Sequence, residues 1–209
     1  MLQVGGRPAL HHVMDIYARH GVHDFVLAGG YRIDAIRDYR DAFPSSWDVD
    51  IVDTGEEADT GDRVLCCLDR LGETFFLTYG DGLGDVDITA LRSRHESHGR
   101  GATVTVVPLP SQYGTLDVDP ADRVVDFREK PSLPDHLINA GFFVINRDVL
   151  DRSVTGSLER DILPNLGSRG ELFVYRHAGF WKSMDTQKDI QELDQLATRE
   201  VPPWLPNRN

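Results

Sequence analysis

Thiols, positive charge and long apolar runs are all scarce in this chain, and each scarcity removes a class of explanation. The only two cysteines, Cys66 and Cys67, are sequence neighbours. That spacing suits neither a disulfide between them nor a zinc site, so a reducing compartment, the cytoplasm, is expected. No stretch is long and apolar enough to span a bilayer, and no secretory signal core is visible. Lys and Arg number 22 against 34 Asp and Glu, for a formal charge of −12. Such a balance argues against non-specific binding to nucleic acid or to an anionic membrane, while leaving room for a local basic pocket that takes a phosphorylated small molecule. No internal repeat or low-complexity tract appears.

What remains is an alternation of short β-rich runs with helical patterns over 209 residues, which predicts one α/β domain. Pro8 to His20 reads as a helix, with Leu10, Val13, Met14 and Tyr17 on one face, Pro8 in its first turn and Gly21 as its stop. Residues 74–79, "TFFLTY", form a strand that runs into "GDGLGD", and a helix follows from the cap Asp87 to Gly99. Further strands are expected at 102–110, 123–131, 138–148 and 171–177. Helices are expected around Leu158 to Leu166 and from Thr186 to Ala197. The tail "VPPWLPNRN" is too rich in proline for regular structure, and no linker marks a domain boundary.

Several side chains could carry chemistry, and each also has a plainer reading. Gly80-Asp81-Gly82 sets a carboxylate at the carboxyl edge of a sheet, where open α/β folds bind ligands and where one Asp can hold Mg²⁺; a turn Asp is the alternative. Asp185, in "GFWKSMDT", could complete a two-carboxylate clamp or simply begin a helix. Lys130, fixed between Glu129 and Pro131, suits a phosphate as a point charge, or is a solvated lysine. Asn139 can both donate to and accept from sugar hydroxyls, with Gly141 leaving space beside it, or it is a pre-strand turn residue. Glu159 is a hydroxyl acceptor or a helix-dipole partner. Residues 52–64, "VDTGEEADTGDRV", read as a loop that contacts base or phosphate, or as a surface loop. His95 and His98 fall three apart on a helix; an exposed helical face is expected rather than a metal site, because no third ligand is nearby.

The order of these segments is more specific than any one of them. "VGGRP", "VDTGEEADTGDRV", "FFLTYGDGLGDVDI", "VTVVPLPSQYGTLDV", "DFREKP", "INAGFFVINRDVLD", "SLERDILPNL" and "YRHAGFWKSMDT" succeed one another in a pattern that resembles the sugar-1-phosphate nucleotidyltransferases. The likeness covers nearly the whole chain and is closest to the branch that acts on CTP and glucose 1-phosphate. It implies a Rossmann-like mixed sheet, a homo-oligomer, and transfer of a cytidylyl group to a sugar 1-phosphate with release of pyrophosphate. It further implies Asp81 and Asp185 as Mg²⁺ ligands, Lys130 with its neighbour Glu129 at the sugar phosphate, and Asn139, Gly141 and Glu159 at the sugar. Gly80 belongs to the same edge, and Thr60, Gly61 and Arg63 fall on the nucleotide side. Asp62 replaces a usual glycine there, which keeps another nucleotide open as an alternative. A non-catalytic sugar-phosphate-binding homologue is the other.

One family segment has no counterpart. The family's first strand and its glycine-rich loop, L-A-G-G-x-G-T-R-L, precede the point that Met1 matches, so the first strand is expected to be missing. Either Met1 is internal to a longer product, which is the favoured expectation, or the remaining strands close the gap. "FVLAGGYRIDAIR" (25–37) resembles the loop only at Leu-Ala-Gly-Gly. In register it falls on the second strand, and so is expected to be a structural decoy, with Arg32 as a candidate substitute for the missing Arg.

Overall fold

In the computed structural model, which describes residues 1–151 and 153–205, the chain begins with a two-residue ribbon, β1 (Gln3–Val4) and β2 (Arg7–Pro8), leading into helix α1 (Ala9–Ala18). Pro8 caps α1 from an extended conformation rather than sitting inside its first turn. Strand β3 (Asp24–Gly29), the short helix α2 (Asp34–Arg37), strand β4 (Asp48–Asp53) and helix α3 (Thr60–Cys67) follow. Next come β5 (Thr74–Thr78), β6 (Gly82–Gly84), α4 (Ile88–His98) and β7 (Ala102–Pro110). The Asp87 side chain accepts the Ala90 N–H at 2.9 Å, and Gly99 ends α4 with φ 65°, as the capping pattern predicts. The second half holds β8 (Thr115–Val118), β9 (Val124–Arg128), the long β10 (Ser132–Asn146), a π-turn at Leu158–Ile162 running into α5 (Leu163–Ser168), β11 (Leu172–Arg176), β12 (Trp181–Ser183) and α6 (Gln187–Ala197). Thr186 and Asp189 cap α6 reciprocally.

The main sheet has the order β11-β7-β10-β5 and is mixed: β11 is parallel to β7, whereas β10 runs antiparallel to both β7 and β5. Strands β3 and β4 form a separate parallel pair. The gap between the two sheets is not closed. β3 and β5 face each other across a cleft of about 1110 Å³ that both of them line, together with the inner face of α1. Their directions agree. Asp50, early in β4, pairs with Arg70, just before β5, at 2.7 Å. At the other end Thr60, beyond β4, and Tyr79, beyond β5, bond to one carboxylate, Glu159.

Two larger cores sit on either side of the main sheet. One is built from α3, α5 and the π-turn against Phe75, Val104, Phe143 and Ile145; the other gathers α1, α4 and α6 around Leu83, Phe142 and Val144. A smaller core of Met14, Leu27, Phe43 and Val49 holds α1 to the β3–β4 pair. Burial of such apolar area contributes about 25 cal/mol per Å².

Several sequence expectations change. Residues 52–64 are not one loop: β4 runs to Asp53, and α3 begins at Thr60 because Gly61, Val64, Leu65 and Cys67 supply a buried helical face. His95 is 3 % exposed, bonded to Thr103 and Asn146, and His98 stacks on Phe173. The expected exposed histidine face is therefore a packed one. The strand expected at 123–131 ends at Arg128, which leaves Glu129 and Lys130 in the turn before β10. In the tail, Trp204 is buried against His12 and Phe180, and residues 206–209 lie outside the described ones.

Candidate active site

Backbone pairing brings the two carboxylates to one place. β6 pairs antiparallel with β12, in the register Gly82↔Ser183, so the residues just outside the ladder, Asp81 and Asp185, lie at the same end of it. The Met184 N–H donates to the Asp81 carbonyl at 2.8 Å and continues that pairing. Burial raises the Asp81 pKa above its ordinary value, and the negative charge of Asp185 raises it further. Asp185 itself accepts the Ser183 hydroxyl at 2.6 Å. Two hard oxygen donors that repel one another are a suitable donor set for Mg²⁺.

A cavity of about 280 Å³ opens between these carboxylates and the strand β10. Asp81, Asn139, Gly141, Trp181 and Asp185 line it, together with Tyr79. Trp181 is held in its wall by an indole N–H donating to the Ala140 carbonyl at 2.8 Å. Asn139 Oδ1 accepts the Gly141 N–H at 2.8 Å, which fixes its amide so that Nδ2 donates to the Tyr79 hydroxyl at 3.3 Å. Gly141 adopts φ 79°, and a Cβ there would stand 2.6 Å from the Tyr79 ring. Its lack of a side chain therefore makes room for Tyr79, not for ligand beside Asn139 as the sequence reading has it.

Glu159 is the hub on the far side. It accepts the Tyr79 hydroxyl in a short bond, Thr60 Oγ1 at 2.8 Å and Ser157 Oγ at 2.9 Å. Burial opposes its charge, but the hydrogen bonds from Tyr79, Thr60 and Ser157 outweigh it and hold the pKa below the usual carboxylate range. Burial first, then the Glu159 bond, push the Tyr79 pKa well up, so Tyr79 stays a donor. Sequence reasoning missed Tyr79. The one signal available was its place at the end of an apolar strand, where a polar aromatic needs a partner.

The residues expected on the nucleotide side have other partners. Thr60 bonds Glu159 and accepts the Leu158 N–H at 2.9 Å. A Cβ on Gly61 would meet the Gly156 carbonyl at 2.5 Å. Arg63 donates to Thr54 Oγ1 at 2.6 Å and to the carbonyls of Gly55 and Glu56. Asp62 accepts the Gly156 N–H at 2.8 Å, so its carboxylate is used in docking α3. Lys130 sits in an exposed turn with φ 47°, a backbone region that non-glycine residues seldom enter. Neither it nor Glu129 lines the cavity. At the Gly29-Gly30 turn, Gly29 O accepts Thr54 N–H and Oγ1–H at 2.8 Å each, while the Arg63 guanidinium covers Gly30.

Residues 1–197 match the family described as "Nucleotidyl transferase". The chain belongs to that family. It is 35% identical over 231 residues to glucose-1-phosphate cytidylyltransferase of Salmonella typhi, the match covering 98% of this chain and 89% of the relative. A probable glucose-1-phosphate cytidylyltransferase of Bacillus subtilis (strain 168) is also 35% identical, over 229 residues, with the same two shares. Among solved structures, HddC of Yersinia pseudotuberculosis superposes with a TM-score of 0.74 at 21% identity, covering 93% of this chain and 88% of that one. The likeness to that solved structure extends to the mixed α/β fold.

Proposed function

We propose that the chain transfers a cytidylyl group from CTP to glucose 1-phosphate, giving CDP-glucose and pyrophosphate. The observation that carries this is the juxtaposition of Asp81 and Asp185 beside the Tyr79–Glu159–Asn139 network, in a chain 35% identical to curated glucose-1-phosphate cytidylyltransferases over nearly its whole length. The sugar-phosphate oxygen forms a new bond to the α-phosphorus, the bond from that phosphorus to the bridging oxygen breaks, and the electron pair leaves with pyrophosphate. Asp81 and Asp185 are the residues that would hold Mg²⁺, which when bound offsets charge on the phosphates. The protein's share is positioning. Asn139 and the charged Glu159 face sugar hydroxyls, Tyr79 keeps Glu159 aimed, and the exposed Lys130 and its neighbour Glu129 serve the sugar phosphate from the turn before β10. Gly80 keeps the approach to Asp81 open: an added Cβ there would meet nothing within 4 Å.

We read residues 1–209 as one domain of a homo-oligomer. The β8–β9 ribbon supports self-association, because Leu116, Val118, Val124, Val125 and Phe127 are each more than half exposed on it. A cytoplasmic setting is supported by the free thiols of Cys66 and Cys67, and no helix among the described residues is long and apolar enough to cross a membrane. The test is pyrophosphate release with CTP, glucose 1-phosphate and Mg²⁺, alongside thermal shifts with each nucleotide. A shift with another nucleotide and none with CTP would sink the cytidylyl assignment; ligand binding without turnover would favour the non-catalytic homologue.

A further inference from the structure

Asp81 and Asp185 flank a ribbon of two three-residue strands, β6 and β12. Among the described residues these pair with each other and with no strand of the main sheet. An isolated two-stranded pairing is marginal at best in water, so the place of the carboxylates against β10 depends on what fastens the ribbon to that sheet. One fastening is the Trp181 indole, which donates to the Ala140 carbonyl of β10 at 2.8 Å. A second lies at the end of the ladder away from the carboxylates. There the Asp85 N–H donates to the Phe180 carbonyl at 3.0 Å, one step beyond the Gly84↔Trp181 pair. The buried His177 reaches the same point, with Nε2 3.1 Å from the Phe180 carbonyl and 3.0 Å from Asp85 Oδ1. A carbonyl only accepts, so Nε2 carries the proton. The His177 backbone N–H donates to the Val106 carbonyl of β7 at 2.9 Å, which roots the ring in the main sheet. Asp85 Oδ1 is buried without a hydrogen bond, a costly state for a carboxylate oxygen, and the His177 ring is the polar group that faces it. Gly179 admits this arrangement: an added Cβ would overlap Asp85 Oδ1 and stand 2.8 Å from His177 Cε1.

We propose that His177 and Asp85 are positioning residues for nucleotidyl transfer: the pair pins the far end of the β6–β12 ribbon to the main sheet and so holds Asp81 and Asp185 at the spacing that binds the divalent cation. The inference rests on the reading of those carboxylates as the Mg²⁺ ligands. Asp85 stands four residues from Asp81 in the chain, about 13 Å of strand, and acts through the ribbon rather than on the cation. Loss of the pin lets the ribbon tilt and carries both carboxylates with it. The sugar-facing side chains hang elsewhere, Asn139 on β10 and Glu159 on the π-turn. The effect therefore falls on metal binding and on the chemical step, not on the affinity for the sugar phosphate.

The test is a Mn²⁺ titration of the full chain, followed by the free-ion paramagnetic resonance signal without turnover, together with steady-state kinetics. His177→Ala is expected to weaken Mn²⁺ binding about tenfold and to lower kcat by a similar factor, with KM for glucose 1-phosphate unchanged. His177→Gln keeps a donor for the Phe180 carbonyl and should restore most of both losses. Gly179→Ala displaces the Asp85 carboxylate while leaving the ring in place, and should lower Mn²⁺ affinity in the same direction even if His177→Ala fails to fold. Val49→Ala, a cavity in the buried core beneath β4, controls for lost stability alone and should leave Mn²⁺ affinity unchanged. Wild-type affinity in both His177→Ala and Gly179→Ala, with binding abolished in Asp81→Asn, would overturn the proposal and leave the carboxylate reading standing. Equal losses in Val49→Ala, or no recovery in His177→Gln, would make the pair a general support of the fold and overturn it as well. Wild-type affinity in Asp81→Asn would remove the carboxylate reading and the proposal with it.

Discussion

The acceptor side of the candidate site and the side beneath β3 are built to different degrees. Around Tyr79, Asn139 and Glu159 the polar side chains are tied to one another or to the backbone, and Gly141 is shaped to admit the Tyr79 ring. Such a region loses little freedom when a sugar arrives. Between β3 and β5 the opposite holds: two strand edges and an apolar helix face line an open cleft. Elements with few partners of this kind open at lower free energy than packed cores. The same chain therefore carries a preorganised half and an open half, and perturbations in the two should read out differently.

The largest effect is expected at the carboxylate edge. Asp81→Asn removes one of two mutually repelling carboxylates, one of them partly desolvated. Pyrophosphate release should fall by about 10³-fold, the scale for losing one electrostatic contact to the transition state, while Tm holds or rises because a penalised charge is gone. Wild-type turnover in this variant would break the assignment of the edge.

Tyr79→Phe tests the hydrogen-bond network of the built half while leaving the ring, which also lines the cleft, in place. It deletes the bond to the charged Glu159 and the partner of Asn139 Nδ2. A hydrogen bond to a charged group contributes about 1.5–3 kcal/mol, so KM for glucose 1-phosphate should rise roughly 10- to 100-fold. The thermal shift caused by CTP should not change. If the CTP response moved as much as the sugar response, the two halves would not be separable.

Gly141→Ala attacks the same half through the backbone. With φ 79° and a Cβ 2.6 Å from the Tyr79 ring, the substitution should cost about 1–3 kcal/mol in a denaturant titration. Asp62→Ala should cost less, about 1 kcal/mol for one lost bond to the Gly156 N–H. The ratio of CTP to GTP use should be unchanged, since that carboxylate is spent on docking α3. A switch in nucleotide preference would restore Asp62 to the nucleotide side.

Much of this frame was legible in the chain. Asp87 and Gly99 bound α4, Thr186 caps α6, and "TFFLT" delivers Asp81, because capping and strand chemistry are local and leave residue-level marks. The helix at Thr60 was hidden because its buried face includes Gly61, whose partner, Gly156, is 95 residues away. His95 and His98 looked exposed because a helix with little amphipathic contrast gives no sign of its buried side; Thr103, Asn146 and Phe173 decide it. Tyr79 leaves only a weak local mark, a polar aromatic just past an apolar strand. Its role exists only once Asn139 and Glu159 fold against it from distant parts of the sequence. Long-range polar partners are what a single sequence conceals.

The smallest expected effect concerns α1, the helix that floors the open half and is clamped from behind by the tail. The Trp204 indole N–H is a donor only, and it lies 3.3 Å from His12 Nδ1, so that nitrogen must accept. His12 Nε2 then carries the proton and donates to the Val4 carbonyl at 2.9 Å. The ring is thus neutral in the folded chain, and burial lowers its pKa below 6.5. A histidine with a depressed folded pKa lets the unfolded state take up protons first. Its contribution to stability is therefore complete above about pH 6.5 and is lost as pH falls toward the folded value. Between pH 7.5 and 5.5 the unfolding free energy should drop by about 1 kcal/mol or less from this ring. His11 has a pKa lowered in the same way, so the quantity to measure is the difference between wild type and His12→Gln, which retains an acceptor but does not titrate. A flatter pH profile in the variant, with Trp204 fluorescence unchanged at pH 7.5, is the expected outcome. Parallel profiles would mean that the clamp on α1 does not depend on a neutral His12.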